Sequence, residues 1–184
     1  MTDGKPEREG EPGADGRDWT ASLVADGADW SDAVDLRVAV FVDEQGVPEE
    51  LELDEHDDDP LGSDVDHLLV RDRAGDAVAV ARLRAVDADA YRPLPTDGAG
   101  TVDADRIAKI ERVAVARERR GEGWGGRAMR AAEDRARARD LPAVVLHAQT
   151  RAAGFYRRLG YERDDGVGTF EEDGIEHVRM GRRL

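Results

Sequence analysis

Apolar residues along this chain recur at two spacings, and the switches between them mark out its elements. A short alternation predicts a first strand over Thr20 to Ala25. From Trp30 to Val42, the residues Val34, Val38, Phe41 and Val42 fall at helical spacing behind Ser31 or Asp32, either of which suits an N-cap. The stretch VDEQGVPEELELDEHDDDPLGSD has no sustained period and predicts a long acidic loop. Period two returns over His67 to Arg71 and Ala77 to Val86, which predicts a hairpin around the turn RAGD. Residues 87 to 105 are rich in turn formers and predict an excursion between strands.

The second half of the chain is more strongly patterned. An alternating strand is expected over Ile107 to Val115, then a helix over Trp124 to Arg139 with Met129, Ala132 and Ala136 as its inner stripe and Glu133 to Arg137 as a favourable i,i+4 pair. Leu141 to Ala148 reads as a buried strand and Thr150 to Leu159 as a short helix. Tyr161 to Phe170 pairs with Ile175 to Arg182 in a closing hairpin around EEDG. No internal repeat is visible. Residues 1 to 18 are Gly, Pro, Glu and Asp with almost no apolar content, and disorder is expected there, leaving one domain over 19 to 184. The expected class is α+β, a mixed sheet whose strand–helix–strand unit carries a glycine turn.

Charge narrows the partners. Acidic residues number 42 against 27 basic ones, for a net charge of −15; 26 of the acids are aspartate, and Lys5 and Lys109 are the only lysines. Such a field disfavours nucleic acid and anionic membrane as partners. The acids are spread along the chain, as suits a surface built for high salt, where the Debye length falls to ~3 Å at 1 M; a halophilic source and an acidic mesophile protein are the two readings. Cysteine is absent, which removes disulfides, thiolate metal sites and cysteine nucleophiles. No apolar run approaches the ~20 residues of a membrane span, and the N-terminal residues lack the apolar core of a signal peptide, so a cytoplasmic location is expected.

Chemistry concentrates in IERVAVARERRGEGWGGRAMRAAEDRARA, residues 110 to 138, where a strand runs into arginines, glycines and a helix. Glycines let a backbone turn come close to a ligand, and the N–H groups that start a helix have no intrahelical partner, so the stretch suits a phosphate. Gly121, Gly123 and Gly126 satisfy the dinucleotide pattern GxGxxG. That pattern also wants a ribose-binding acid about 20 residues on, and LHAQT supplies none. A Walker loop is excluded because no GK[ST] occurs. The register Arg120-x-x-Gly123-x-Gly125 remains, with Arg119 and Arg120 leading into the turn, as suits a ligand with several phosphates.

On these residues the chain resembles the GCN5-related N-acetyltransferases, in which [Q/R]xxGx[G/A] binds the pyrophosphate of acetyl-CoA. AQTRAAGFYRRLGY, 148 to 161, is similar to that family's second signature. Within the family the chain is most similar to the ElaA/YjcF-like group, through Arg37 to Pro48 (RxxVFVxEQxVP), Glu52 to Asp57 (ExDxxD), Ile110 to Val115, Ala148 to Tyr156 and Ile175 to Met180.

The resemblance implies a three-layer α/β/α acyl-CoA N-acyltransferase fold with a mixed, mostly antiparallel sheet. It implies acetyl-CoA as cofactor and a small-molecule or peptide amine as acceptor, in a monomer or homodimer. It places the cofactor against Val113, Val115, Arg119, Arg120, Gly121, Gly123, Trp124, Gly125, Gly126, Gln149, Phe155 and Tyr156, with Gln149 standing where many relatives carry asparagine. Tyr156 matches the position of the family's general acid; its other reading is a half-buried packing residue. Glu111 is a candidate base, or else an ion-pair partner of Arg112 or Arg82. Arg37, Phe41, Glu52, Asp54, Arg82, His147 and His177 are the candidate acceptor-side residues, and the last two are secondary candidates for proton transfer.

Metal is not expected, since His56, His67, His147 and His177 lack the local spacing of a zinc site and LDEHDDDP lacks the glycine and terminal glutamate of a calcium loop. The spacing of Arg37, Phe41, Glu52, Asp54 and Asp57 is also similar to the acyl-homoserine lactone synthases. A non-catalytic acyl-CoA-binding module is the remaining alternative.

Overall fold

The computed structural model describes residues 18–62, 64–94 and 102–184; the expected disorder before Asp18 and part of the 87–105 excursion lie outside the described residues. Strand β1 (Trp19–Leu23) is followed by helix α1 (Gly27–Arg37), whose last turn widens into a π-helical segment over Val38–Asp43. A one-turn helix α2 (Glu49–Glu52) and a 3₁₀ turn at Glu55–Asp57 lead to β2 (Val65–Asp72) and β3 (Ala77–Asp87). After a 3₁₀ turn at Ala88–Tyr91 come β4 (Arg106–Val115), α3 (Trp124–Ala138), β5 (Ala143–Gln149), a 3₁₀ turn at Thr150–Ala152 and α4 (Ala153–Arg158). The chain closes with β6 (Glu162–Arg163), β7 (Thr169–Glu172) and β8 (Ile175–Arg183).

Among the described residues the strands form one sheet in the order β1-β2-β3-β4-β5-β8-β6, with β7 also on β8. Every pairing is antiparallel except β4 with β5. A single parallel pair joined by α3 excludes the doubly wound dinucleotide fold that a literal GxGxxG invites. The alternation of each strand feeds two cores. Leu68, Ala81, Leu83, Ile110, Val144 and Leu146 pack with Met129, Ala132 and Ala136 of α3 and Tyr156 of α4 on one face. Leu69, Val80 and Ala114 pack with Ala33, Leu36 and Val40 on the other. The result is α+β in three layers, α1 on one face and α3 and α4 on the other.

Two expectations are corrected. Helix α1 begins earlier than Ser31 because the Asp26 carboxylate accepts from both the Ala28 and Asp29 N–H groups at 2.9 Å. The acidic stretch is not a solvated loop: it folds into α2 and a 3₁₀ turn capped by Asp54, and Glu52 within it is buried. In addition, Glu133 faces inward, accepting from the Tyr161 hydroxyl at 2.9 Å and Arg182 at 3.0 Å, with Arg137 at only 3.9 Å.

Candidate active site

Strands β4 and β5 part company along their length. Their ladder consists of Ala108 opposite Val144 and Lys109 opposite Val145, whereas β4 stays paired to β3 as far as Val115 and β5 to β8 as far as Gln149. The cause lies in β4. Arg112 and Val113 together face Ala81, a bulge in which Arg112 takes a left-handed conformation at φ 52°. An extra residue bends the strand away from its parallel neighbour. Arg112 is held in that conformation by the Leu51 carbonyl at 2.8 Å, Glu52 at 3.0 Å and Asp54 at 3.3 Å. The gap opens into a cleft of about 790 Å³, lined on the β4 side by Ile110 to Val115 and on the β5 side by His147 and Gln149.

One end of the cleft is the glycine turn. Gly121 and Gly123 take left-handed φ values of 85° and 87°, and Gly123 is the N-cap of α3, so no side chain caps the helix. The N–H groups of the first turn and the helix dipole therefore face the cleft. Gly125 allows a close approach: a Cβ there would lie 3.2 Å from Phe155 Cζ and 3.5 Å from Val115 Cγ2. Arg120 is forked to Glu44 with both bonds at 2.9 Å, and Arg119 is paired to Asp72 at 2.6 Å. Trp124 has its indole in the core beneath the turn, and it donates to Glu122 at 2.8 Å. All the expected cofactor residues, from Val113 to Gly126 and from Gln149 to Tyr156, line this one cleft.

Tyr156 lines the cleft from α4, beside Phe155 with ring centroids 4.9 Å apart. Burial pushes its hydroxyl up to about 12, so it keeps its proton well past neutrality. Gln149 bridges the gap, donating to Gln45 at 2.7 Å and accepting from Arg151 at 2.9 Å.

Beneath the other end lies a buried ionic network of five cations and four carboxylates. Arg37 grips Glu52 at 2.6 Å and Asp57 at 2.8 Å. Arg82 forks onto Asp54 with two bonds of 2.7 Å and reaches Asp57 and Glu111 at 3.2 Å each. Glu111 is also bound by Arg84 and, at 3.2 Å, by Lys109. Arg112 completes the network. Arg37, Asp54 and Arg82 are thus behind the wall of the cleft rather than on it, while Glu52, Phe41, His147 and His177 line it. The ExDxxD acids hold α2 and the 3₁₀ turn against β3 and β4. Of the residues whose spacing is similar to the lactone synthases, Phe41 and Glu52 line the cleft, and Arg37, Asp54 and Asp57 stand in the network behind it. Burial alone would raise Glu111, but Arg84, Arg82 and Lys109 outweigh it and take the carboxyl down to about 2, which leaves it a weak proton acceptor.

This network makes stability depend on acid. Burial raises Asp54 and Asp57, yet the hydrogen bonds and charges of Arg82 and Arg37 prevail, and both carboxyls fall below the ordinary range, as does Glu111. Depressed carboxylates contribute stability that is complete above the unfolded values near ~4 and lost as pH falls through the folded ones. Glu52 works the other way, because burial outweighs Arg37 and holds it above its usual value. Burial also holds the His67 imidazole down to about 4, so a denaturant midpoint that begins to fall below about pH 6.5 and drops more steeply from about pH 4 towards about pH 2 is expected; Arg82→Met should flatten the lower part of the drop.

The Acetyltransferase (GNAT) family model matches residues 30–161, from within α1 through the glycine turn and α4. The chain belongs to this family. It is 35% identical over 149 residues to the uncharacterized N-acetyltransferase YjcF of Bacillus subtilis, covering 81% of this chain and 89% of that protein. It is 32% identical over 157 residues to the uncharacterized protein YyaT of the same organism, covering 85% and 90%. An acyl-CoA N-acyltransferase from Pseudomonas aeruginosa superposes with a TM-score of 0.67 at 28% identity, covering 90% of this chain and 98% of that one. Escherichia coli ElaA does so with 0.65 at 26%, covering 89% and 97%. A GNAT acetyltransferase takes an acyl-CoA cosubstrate and an acceptor. No described helix is long and apolar enough to cross a membrane.

In this GNAT chain, several cleft residues escape a reading of the sequence. Glu44 and Gln45 come from the segment after the π-helical turn and pair with the two sides of the gap; the motif around them was visible, but their target was not. Glu172, Asp173 and Ile175 come from the β7–β8 hairpin and line the same cleft. His177 donates from Nδ1 to the Ile175 carbonyl at 2.8 Å. His147 contacts Glu172 at 2.9 Å.

Proposed function

We propose that this chain transfers the acetyl group of acetyl-CoA directly to a primary amine of a small molecule or peptide. The observation that carries the reading is continuity: a single cleft runs from the uncapped start of α3, through the β4–β5 gap and past Tyr156, to the β7–β8 turn. The residues fit a coenzyme A thioester. Glycine-turn and α3 N–H groups are donors for a pyrophosphate, beside Arg119 and Arg120, whose guanidinium groups are held by Asp72 and Glu44, and the inner edge of β4 at Val113 and Val115 offers backbone groups to an extended pantetheine arm. Bound acetyl-CoA supplies the acyl group as an activated thioester. The Tyr156 hydroxyl, protonated at neutral pH and lining the cleft, gives its proton to the departing sulfur. With no cysteine in the chain, the acyl group has no thiol to rest on, and transfer is direct. The acidic composition fits a high-salt, cytoplasmic setting.

Acetyl-CoA should raise the melting temperature in molar potassium chloride, and NAD should not; the reverse result would sink the cradle. Tyr156→Phe should keep the acetyl-CoA shift and lower thiol release with the best amine of a panel by roughly 100-fold or more. Normal turnover in that variant would remove Tyr156 from the chemistry.

A further inference from the structure

Glu111 is the carboxylate whose position on β4 suggests a base, yet Arg82, Arg84 and Lys109 occupy it. An amine acceptor arrives as an ammonium ion and must lose a proton before it attacks, so the cleft needs another acceptor for that proton. The candidate has to lie on the acceptor side of the gap and present an unshared lone pair to the ammonium group.

His147 meets these requirements. It stands on β5 two residues beyond Val145, the last residue paired to β4, and it lines the cleft. Strand alternation puts Leu146 and Ala148 in the core with α3 and α4, so His147 faces the opposite side of the sheet, the side of α1 and the β7–β8 turn. Its Nδ1 lies 2.9 Å from Glu172 Oε2 on β7, and Phe170 meets the ring edge-on at 4.8 Å. The Glu172 carboxyl is held below its ordinary value, first by this hydrogen bond. An ionised carboxylate only accepts, so Nδ1 carries the hydrogen and, in the neutral ring, Nε2 is left with the lone pair.

The surrounding charges are mostly committed elsewhere. Lys109 and Glu111 on β4 bind each other at 3.2 Å. Arg179, opposite His147 on β8, is paired with Asp164. His177, opposite Gln149, has its Nδ1 on the Ile175 carbonyl.

We propose that His147 Nε2 removes the proton from the acceptor's ammonium group, and that Glu172 is a positioning residue that fixes the ring and its tautomer. The step moves one proton: the ammonium N–H bond breaks, the Nε2–H bond forms, and the imidazolium lies against the Glu172 carboxylate. No oxidant or further reactant is needed. The proposal rests on the amine-transfer reading above, and it places the acceptor's entry at the β7–β8 turn.

The test compares two nucleophiles with acetyl-CoA on the full chain: methylamine, which is protonated at neutral pH, and hydroxylamine, whose nitrogen is already unprotonated there. His147→Gln should lose about 100-fold in thiol release with methylamine and only a few-fold with hydroxylamine, while keeping the acetyl-CoA melting shift that shows the cleft is intact. Equal losses with both nucleophiles overturn the proposal and leave the transfer reading standing. No thiol release from the unsubstituted protein with either nucleophile overturns the transfer reading and the proposal with it. Imidazole ¹⁵N resonances supply an independent readout. In its neutral form the His147 ring should show a protonated Nδ1 and a bare Nε2, and Glu172→Gln should mix the tautomers and lower turnover with methylamine. A protonated Nε2 in the neutral ring of the unsubstituted protein would overturn the proposal.

Discussion

Arg82→Met should destabilise the fold by about 3–5 kcal/mol, the range found when one partner of a buried ion pair is removed. Arg82 is 1% exposed and is the hub through which β3 holds the acidic segment: both terminal guanidinium nitrogens fork onto Asp54, and the same atoms reach Asp57 and Glu111. Methionine fills much of the volume but leaves three carboxylates short of a cation. Glu111 keeps Arg84 and Lys109 and Asp57 keeps Arg37, so Asp54 is the most exposed to the loss, with only Arg112 at 3.3 Å remaining. Arg82→Lys keeps the charge and loses the fork, so it should fall between the two. The measurement is denaturant unfolding at neutral pH. A change below about 1 kcal/mol would mean that the network behaves as a surface cluster. The triple replacement of Arg82, Asp54 and Asp57 by apolar residues should be milder than Arg82→Met, because the cost is that of stranded charge rather than of lost attraction.

That network also shows why the sequence disclosed the turn and hid the acceptor side. The glycine turn is local: arginines, glycines and the Met129, Ala132, Ala136 stripe sit within one stretch, and the structure puts them in the expected strand–turn–helix order. The residues of ExDxxD look solvated because their partners, Arg37, Arg82 and Arg112, lie 15 to 60 residues away in sequence, and hydropathy records each of them as polar. Arg37 similarly blurs α1, whose inner face ends in a buried arginine where an apolar residue is expected. The first arm of the closing hairpin is broken where the alternation predicts one strand, for a related reason. Asp164 looks like strand surface, but Arg179 and the Gly166 N–H bind it, and the chain turns there before β7 begins. The His147–Glu172 contact joins β5 to β7 across 25 positions, and nothing local announces it.

Gly125→Leu should abolish acyl-CoA binding, and with Gly126→Ala it decides which glycine register holds the cofactor. A Cβ at Gly125 already lies 3.2 Å from Phe155 Cζ and 3.5 Å from Val115 Cγ2, both cleft residues, so a leucine there must displace Phe155 or fill the space between the turn and β4. Either movement closes the gap where the pantetheine arm would run. With ligand at a hundredfold excess over its Kd, binding adds about 2.7 kcal/mol to stability, and the variant should lose essentially all of the corresponding melting shift while still unfolding cooperatively. Gly126 presents the opposite case. A Cβ there meets only Leu159 Cδ2 at 4.0 Å, the backbone N–H is retained, and alanine in a helix gains up to about 1 kcal/mol over glycine. Gly126→Ala should therefore raise the melting temperature and keep the acetyl-CoA shift. If Gly126→Ala abolishes the shift and Gly125→Leu keeps it, the anion is held by the GxGxxG register and the cleft has been assigned from the wrong glycines.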